Sequence, residues 1–160
     1  MSGSYTANLG PSIGGYLTPA VDEECKPFFE AAAEGKLVIQ KCLSCGRLRH
    51  PPRPMCPWCR STERGWQEMS GNGTIWSFVV PHPPLLPAYG AIAPYNVIVV
   101  ELEEDPHLRF VGNLIAEPGG AINEIDPETI EIGEPVKAVF SVLVRADGSS
   151  IAIPRWVRRS

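Results

Sequence analysis

Cys42-Leu43-Ser44-Cys45-Gly46 and Cys56-Pro57-Trp58-Cys59 decide the reading of this chain. Each segment holds two thiols with two residues between them, and ten residues separate Cys45 from Cys56. A tight turn after each first cysteine aims both sulfurs inward, and Gly46 relieves the backbone where the chain folds back. Two such turns on adjacent β-ribbons converge on a tetrahedral four-sulfur site suited to zinc, or to a single iron in the same geometry. With all four positions filled by protein, no place remains for water or substrate, so the metal is structural. Residues 36–64 hold few apolar side chains, and metal binding supplies much of their folding free energy. Cys25 is left over in an acidic segment without a neighbouring histidine, and reads as packing rather than as a nucleophile.

Upstream of the first cysteine pair, Lys26-Pro27-Phe28-Phe29-Glu30-Ala31-Ala32-Ala33-Glu34-Gly35 predicts a short helix. Proline suits its first turn, alanines are the best helix formers, and Gly35 suits the left-handed position past its end. So short a helix needs a surface to dock on, through Phe28 and Phe29. Leu37–Gln40 reads as a strand leading into Cys42. Residues 1–21, rich in Gly, Ser and Pro, read as a flexible arm.

Downstream, the pattern is β throughout, with strands expected near 65–70, 74–80, 95–103, 108–115, 135–145 and 149–153. Asp147-Gly148 is a hairpin signal before the last of them. Five or six strands in so short a span suit a small barrel, which also removes exposed sheet edges. The stiff loop Pro81–Pro87, carrying Leu85 and Leu86, reads first as a cap on the domain's own core. Asp126-Pro127 reads as the start of one short helical turn. The expected division is an arm at 1–21, a helix and metal ribbon at 22–64, and a barrel with a C-terminal tail at 65–160.

The 160 residues are 44% hydrophobic, so the chain is globular, and its 15 glycines and 17 prolines exclude a helical bundle. No apolar run approaches the roughly 18 residues of a membrane span. The start Met1-Ser2-Gly3-Ser4-Tyr5 lacks a secretory signal, which predicts a cytoplasmic protein with reduced thiols. The net charge of −4 is unevenly spread. Lys36, Lys41, Arg47, Arg49, Arg53, Arg60 and Arg64 face Glu63 alone in residues 36–64, whereas 65–154 are strongly acidic. The basic island reads either as ordinary surface or as a docking place for an anion such as a phosphate.

Taken together, the Pro27–Leu37 segment, the two cysteine pairs, Pro51-Pro52-Arg53, Gly71-x-Gly73-Thr74-x-x-Ser77, Ile132–Val136 and Ile153-Pro154-Arg155-Trp156 resemble one family. It is the zinc-ribbon plus OB-fold family, long catalogued as a domain of unknown function and associated with acyl-CoA metabolism. The resemblance runs from about residue 22 to the end, departing mildly at Phe29, where the family usually has Trp. It implies a mainly β fold: an N-terminal helix, a rubredoxin-like zinc ribbon, then a five- to six-stranded OB-fold barrel. It also implies structural zinc and a thiolase-fold partner enzyme in a heterotetrameric assembly, such as the thiolase-like aldolases of steroid side-chain breakdown. In that system the module is often fused behind a hydratase domain.

On this reading the chain is a non-catalytic accessory subunit within a lyase (aldolase) or acyltransferase complex. Cys42, Cys45, Cys56 and Cys59 are the metal ligands. Arg49 and Arg53, with Trp58 as a stacking face, are the candidates for contact with acyl-CoA. Phe28, Phe29, Leu85, Leu86 and Trp156 are the candidates for contact with the partner. The competing reading is a single-stranded nucleic-acid-binding protein, since OB-folds and zinc ribbons both serve that role. The acidic barrel segment opposes it, because a phosphate backbone needs a continuous positive groove.

Overall fold

The computed structural model describes residues 17–145 and 147–159. Of the expected arm, residues 1–16 lie outside the described residues, and 17–21 carry no regular secondary structure. The predicted helix is present as α1 (Lys26–Ala33), with Pro27 in its first turn. Gly35 closes it at φ +76°, where its N–H reaches the Ala32 carbonyl. Phe28 and Ala32, one turn apart, are its buried residues.

Two sheets follow. The ribbon sheet has the order β2-β1-β3, formed by β1 (Leu37–Cys42), β2 (Leu48–Arg49) and β3 (Arg64–Met69). β3 pairs with β1 along its whole length, from Leu37 opposite Met69 to Cys42 opposite Arg64. The strand expected at the head of the barrel is therefore hydrogen-bonded into the ribbon. The second sheet contains β4 (Asn72–Val79), β5 (Val97–Leu102), β6 (Arg109–Gly112), β7 (Pro135–Val144) and β8 (Ser150–Arg158), in the order β6-β5-β4-β7-β8. All its pairings are antiparallel. The sheet curls until its edges touch at one parallel bridge, Leu114 to Trp156. There the Trp156 N–H donates to the Asn113 carbonyl and the Ile115 N–H to that of Trp156. Buried Asn96 clamps the same point: its side chain donates to the Leu114 carbonyl and accepts from the Leu114 N–H at 2.7 Å. This is the OB-fold arrangement.

Period-two burial in β5 turns Ile98, Val100 and Leu102 inward. They join Ile75, Phe110, Val136 and Trp156, and the same cluster continues through Phe28, Ile39 and Met69 of the helix and ribbon. One apolar core thus crosses the residue 64/65 boundary. A second cluster gathers Tyr95, Ile115 and Ile122, with Leu85, Tyr89 and Ile92 of the Pro-rich loop and its short helix α2 (Pro87–Gly90) packed against it. The Asp126-Pro127 signal forms a 3-10 turn, Pro127–Thr129, capped by the Asp126 carboxylate.

The C-terminal segment differs from expectation. β8 continues to Arg158, and Trp156, expected on a surface tail, is 0% exposed. Its ring lies 6.2 Å from that of Phe110. It crosses β6 at Gly112, where any Cβ would come within 2.9 Å of the indole nitrogen. Trp156 is therefore a core residue with no surface to offer a partner. No helix among the described residues is long and apolar enough to cross a membrane.

Candidate metal centre and adjoining recess

The four cysteines meet. Their Sγ atoms all lie within 4.8 Å of one another, with Cys42–Cys59 at 3.6 Å and Cys45–Cys56 at 3.7 Å. A disulfide needs about 2.05 Å between sulfurs. Zinc bound at about 2.3 Å to each of four tetrahedral sulfurs separates them by about 3.8 Å, and the observed spacing fits that ion. Cys42 and Cys56 are buried and Cys45 and Cys59 exposed, so an ion held by all four would face solvent on one side and have no open coordination position.

The two turns are built alike. The Gly46 N–H reaches the Cys42 carbonyl, and the Arg60 N–H reaches the Cys56 carbonyl, both at 2.9 Å. Backbone N–H donation from Cys45 is the leading cause holding the Cys42 thiol below its ordinary range. At Cys56 burial is the largest single influence and acts upward. The combined donation from the Cys59 and Trp58 N–H groups and the neighbouring thiols outweighs it and holds this thiol below its ordinary range, while the neighbouring Cys59 thiol is raised. Amides aimed at sulfur favour the thiolate, the form that binds metal. Cys25 lies apart, its thiol raised first by burial and then by Asp22, as expected of an unreactive group.

Beside the metal turns, a recess of about 890 Å³ opens between the ribbon and the turn after β5. Arg47, Arg49, Arg53 and Trp58 line one side, with Glu104, Asp105 and His107 across from them. Trp58 is 53% exposed, and the Arg47 guanidinium lies over its ring, 5.0 Å from the centroid. The three sequence candidates thus come together but are not equivalent. Arg49 is only 4% exposed: its Nε donates to the Gln40 side-chain oxygen and one terminal nitrogen to the Arg53 carbonyl. The same Gln40 oxygen accepts from the Arg53 N–H at 2.9 Å. Arg49 fixes the loop, and Arg53 presents an exposed side chain from it.

The candidates for a partner surface divide. Phe28 is buried within this chain, stacked 6.1 Å from Phe110 and edge-on to Phe29. Phe29 is half-buried. Leu85 is half-buried against the second cluster, and Leu86 is 55% exposed. His50 stacks on Phe110 at 4.0 Å, and burial lowers its pKa to about 4.

Comparison with known proteins agrees with this architecture. The model of the ChsH2 rubredoxin-like zinc ribbon domain matches residues 29–63, and that of the ChsH2 C-terminal OB-fold domain matches 66–141. The metal of the four-cysteine site is accordingly structural zinc. A solved "Ltp2-ChsH2(DUF35) aldolase" chain superposes with a TM-score of 0.69 at 37% identity, covering 88% of this chain and 98% of that one. The 3-oxo-4,17-pregnadiene-20-carboxyl-CoA hydratase alpha subunit of Mycobacterium tuberculosis is 36% identical over 124 residues, covering 78% of this chain and 36% of the relative. This chain spans about a third of the length of such hydratase subunits. A DUF35 domain-containing scaffold protein of Methanothermobacter thermautotrophicus is 38% identical over 113 residues, 70% of this chain and 76% of the relative. By its ribbon, its barrel and these relatives, the chain belongs to the DUF35 family, in its ChsH2-type form.

Proposed function

We propose that this chain is a non-catalytic accessory subunit of a thiolase-superfamily enzyme, a thiolase-like aldolase acting on a steroid or related β-hydroxyacyl-CoA. The observation that carries the reading is the likeness to the ChsH2(DUF35) chain of an aldolase, at 37% identity over nearly that chain's whole length. The pregnadiene-carboxyl-CoA substrate named in a relative supports the steroid class. In the retro-aldol step a base takes the β-hydroxyl proton, the Cα–Cβ bond breaks, and the electron pair goes to the acyl-CoA enolate before protonation. On this reading the groups for that step belong to the partner, and the zinc here, with four protein ligands and no place for substrate, takes no part in it.

This chain's own contribution is surface. Arg53 and Trp58, at the mouth of the 890 Å³ recess, offer a charge and a stacking face to the phosphates and adenine of CoA, with Arg49 holding the loop behind them. Leu85, Leu86 and the half-buried Phe29 supply apolar contact with the partner. The assembly is heterotetrameric and works in the cytoplasm. Co-expression with a thiolase-like aldolase, followed by tandem affinity purification, tests the association. A stable complex of fixed stoichiometry is expected, and independent elution of the two chains would contradict it.

A further inference from the structure

Between β6 and β8 the barrel wall opens into another recess, of about 420 Å³. Among the described residues the chain just past β6 meets β8 at a single bridge, Leu114–Trp156, and Pro154, just before it, has no N–H to offer a neighbour. Val111, Gly112 and Asn113 wall the opening on one side, and Ile153, Pro154 and Arg155 on the other. Phe28, Phe29, Tyr95 and Phe110 line its interior with aromatic surface. Among the described residues this recess shares only His50 with the one beside the ribbon.

Strand alternation sends Trp156 into the main core and Arg155 to the opposite face. Arg155 is 9% exposed, and its buried Nε has no hydrogen-bond partner among the described residues. Among the described residues no carboxylate lies within ion-pair distance of its guanidinium. Burial lowers its pKa to about 10, which leaves it cationic at neutral pH. The other described lining side chains are uncharged there, His50 included, since burial lowers its pKa to about 4. A buried cation with Tyr89 nearby but no carboxylate partner is costly, and a single opposite charge offsets that cost. The guanidinium fork matches a carboxylate with two parallel hydrogen bonds. A phosphate monoester's second charge would find no second cation, and the volume lies in the range of small-molecule sites.

We propose that this recess binds an amphiphilic monocarboxylate, with the carboxylate on Arg155 and the apolar body against Phe28, Phe29, Tyr95 and Phe110. The site is independent of the acyl-CoA reading, because its ligand carries a free carboxylate and enters through a different opening. Calorimetric titration of the zinc-loaded chain with 4-phenylbutyrate and with 4-phenylbutanol, matched in shape and differing in charge, tests it. The carboxylate is expected to bind about tenfold to a hundredfold more tightly than the alcohol. In Arg155→Met that ratio falls to near one while alcohol binding persists, and Arg155→Lys keeps part of the preference. Because the substitution removes an unpaired charge, Arg155→Met keeps or raises the thermal midpoint. Equal affinities in the wild type, binding of neither probe, or an unchanged preference in Arg155→Met would overturn the proposal. A large drop in its midpoint would do so too, by making Arg155 a structural residue.

Discussion

Gly46 and Arg60 occupy the same place in the two metal turns, each four residues past the first cysteine, with φ of +73° and +63°. Glycine adopts this left-handed conformation without strain, whereas a residue with a Cβ pays roughly 1–2 kcal/mol there. Arg60→Gly is therefore expected to stabilise the zinc-loaded chain by up to about 1 kcal/mol, the gain being reduced by glycine's freedom in the unfolded chain. Gly46→Val should destabilise it by about 1–2 kcal/mol. Urea unfolding of the two variants beside the wild type measures both effects. Equal midpoints would show that the turns are not held in this conformation.

The largely buried imidazole of His50 makes stability depend on pH. Its folded pKa of about 4 lies below the ordinary 6.5, so the unfolded chain binds the extra proton first as pH falls. This stabilising contribution is complete above pH 6.5 and is lost as the pH falls toward 4, a difference of about 3 kcal/mol at 1.36 kcal/mol per unit. Acid also protonates the zinc thiolates, so the informative quantity is the difference between wild type and His50→Phe at each pH. That difference should shift in favour of the variant between pH 6.5 and 4. A difference independent of pH would contradict the buried neutral state.

Arg49 and Arg53 line one recess but should respond differently to substitution. Arg53→Ala is expected to weaken acyl-CoA binding by the assembled complex about tenfold, with zinc content and thermal midpoint unchanged. Arg49→Ala removes the donors to Gln40 and to the Arg53 carbonyl, and should lower the midpoint as well. Trp58→Ala should weaken CoA binding by a few-fold, the scale of an exposed stacking contact. Calorimetry and thermal unfolding on the same preparations separate the three.

Removing the Trp156 side chain should cost about 3–5 kcal/mol, as expected for a large aromatic deleted from a packed core. Asn96→Leu should cost about 2–4 kcal/mol, because it leaves the N–H and carbonyl of Leu114 without partners where the barrel closes. Both are read by denaturant unfolding with zinc bound. A surface-like loss under 0.5 kcal/mol for either would contradict the packing described here.

What was legible in the sequence was local or covalently spaced. Cysteine spacing announces the metal turns because each turn is made by consecutive residues, and Pro27 and Gly35 mark α1 because helix ends are set within a few residues. The β5 region was marked by its run of β-branched residues, Val97-Ile98-Val99-Val100, which suit a strand. Long-range placement was not legible. Trp156 stands among Arg155, Arg158 and Arg159 and reads as a charged tail, yet Arg158 pairs with Glu134 and Arg159 with Glu103, which leaves β8 free to bury the indole. Nothing near Arg49 in sequence announces Gln40, and nothing near Arg155 announces an apolar recess. β3 likewise takes its partner, β1, from across the whole metal ribbon.

The most direct test titrates the zinc-loaded chain into a thiolase-like aldolase while following cleavage of a β-hydroxyacyl-CoA. Turnover should rise to a plateau at a fixed ratio of the two chains, with none from this chain alone and none after Cys42 and Cys45 are both replaced by alanine. Cleavage by this chain without the partner, or a partner rate indifferent to its addition, would contradict the accessory role.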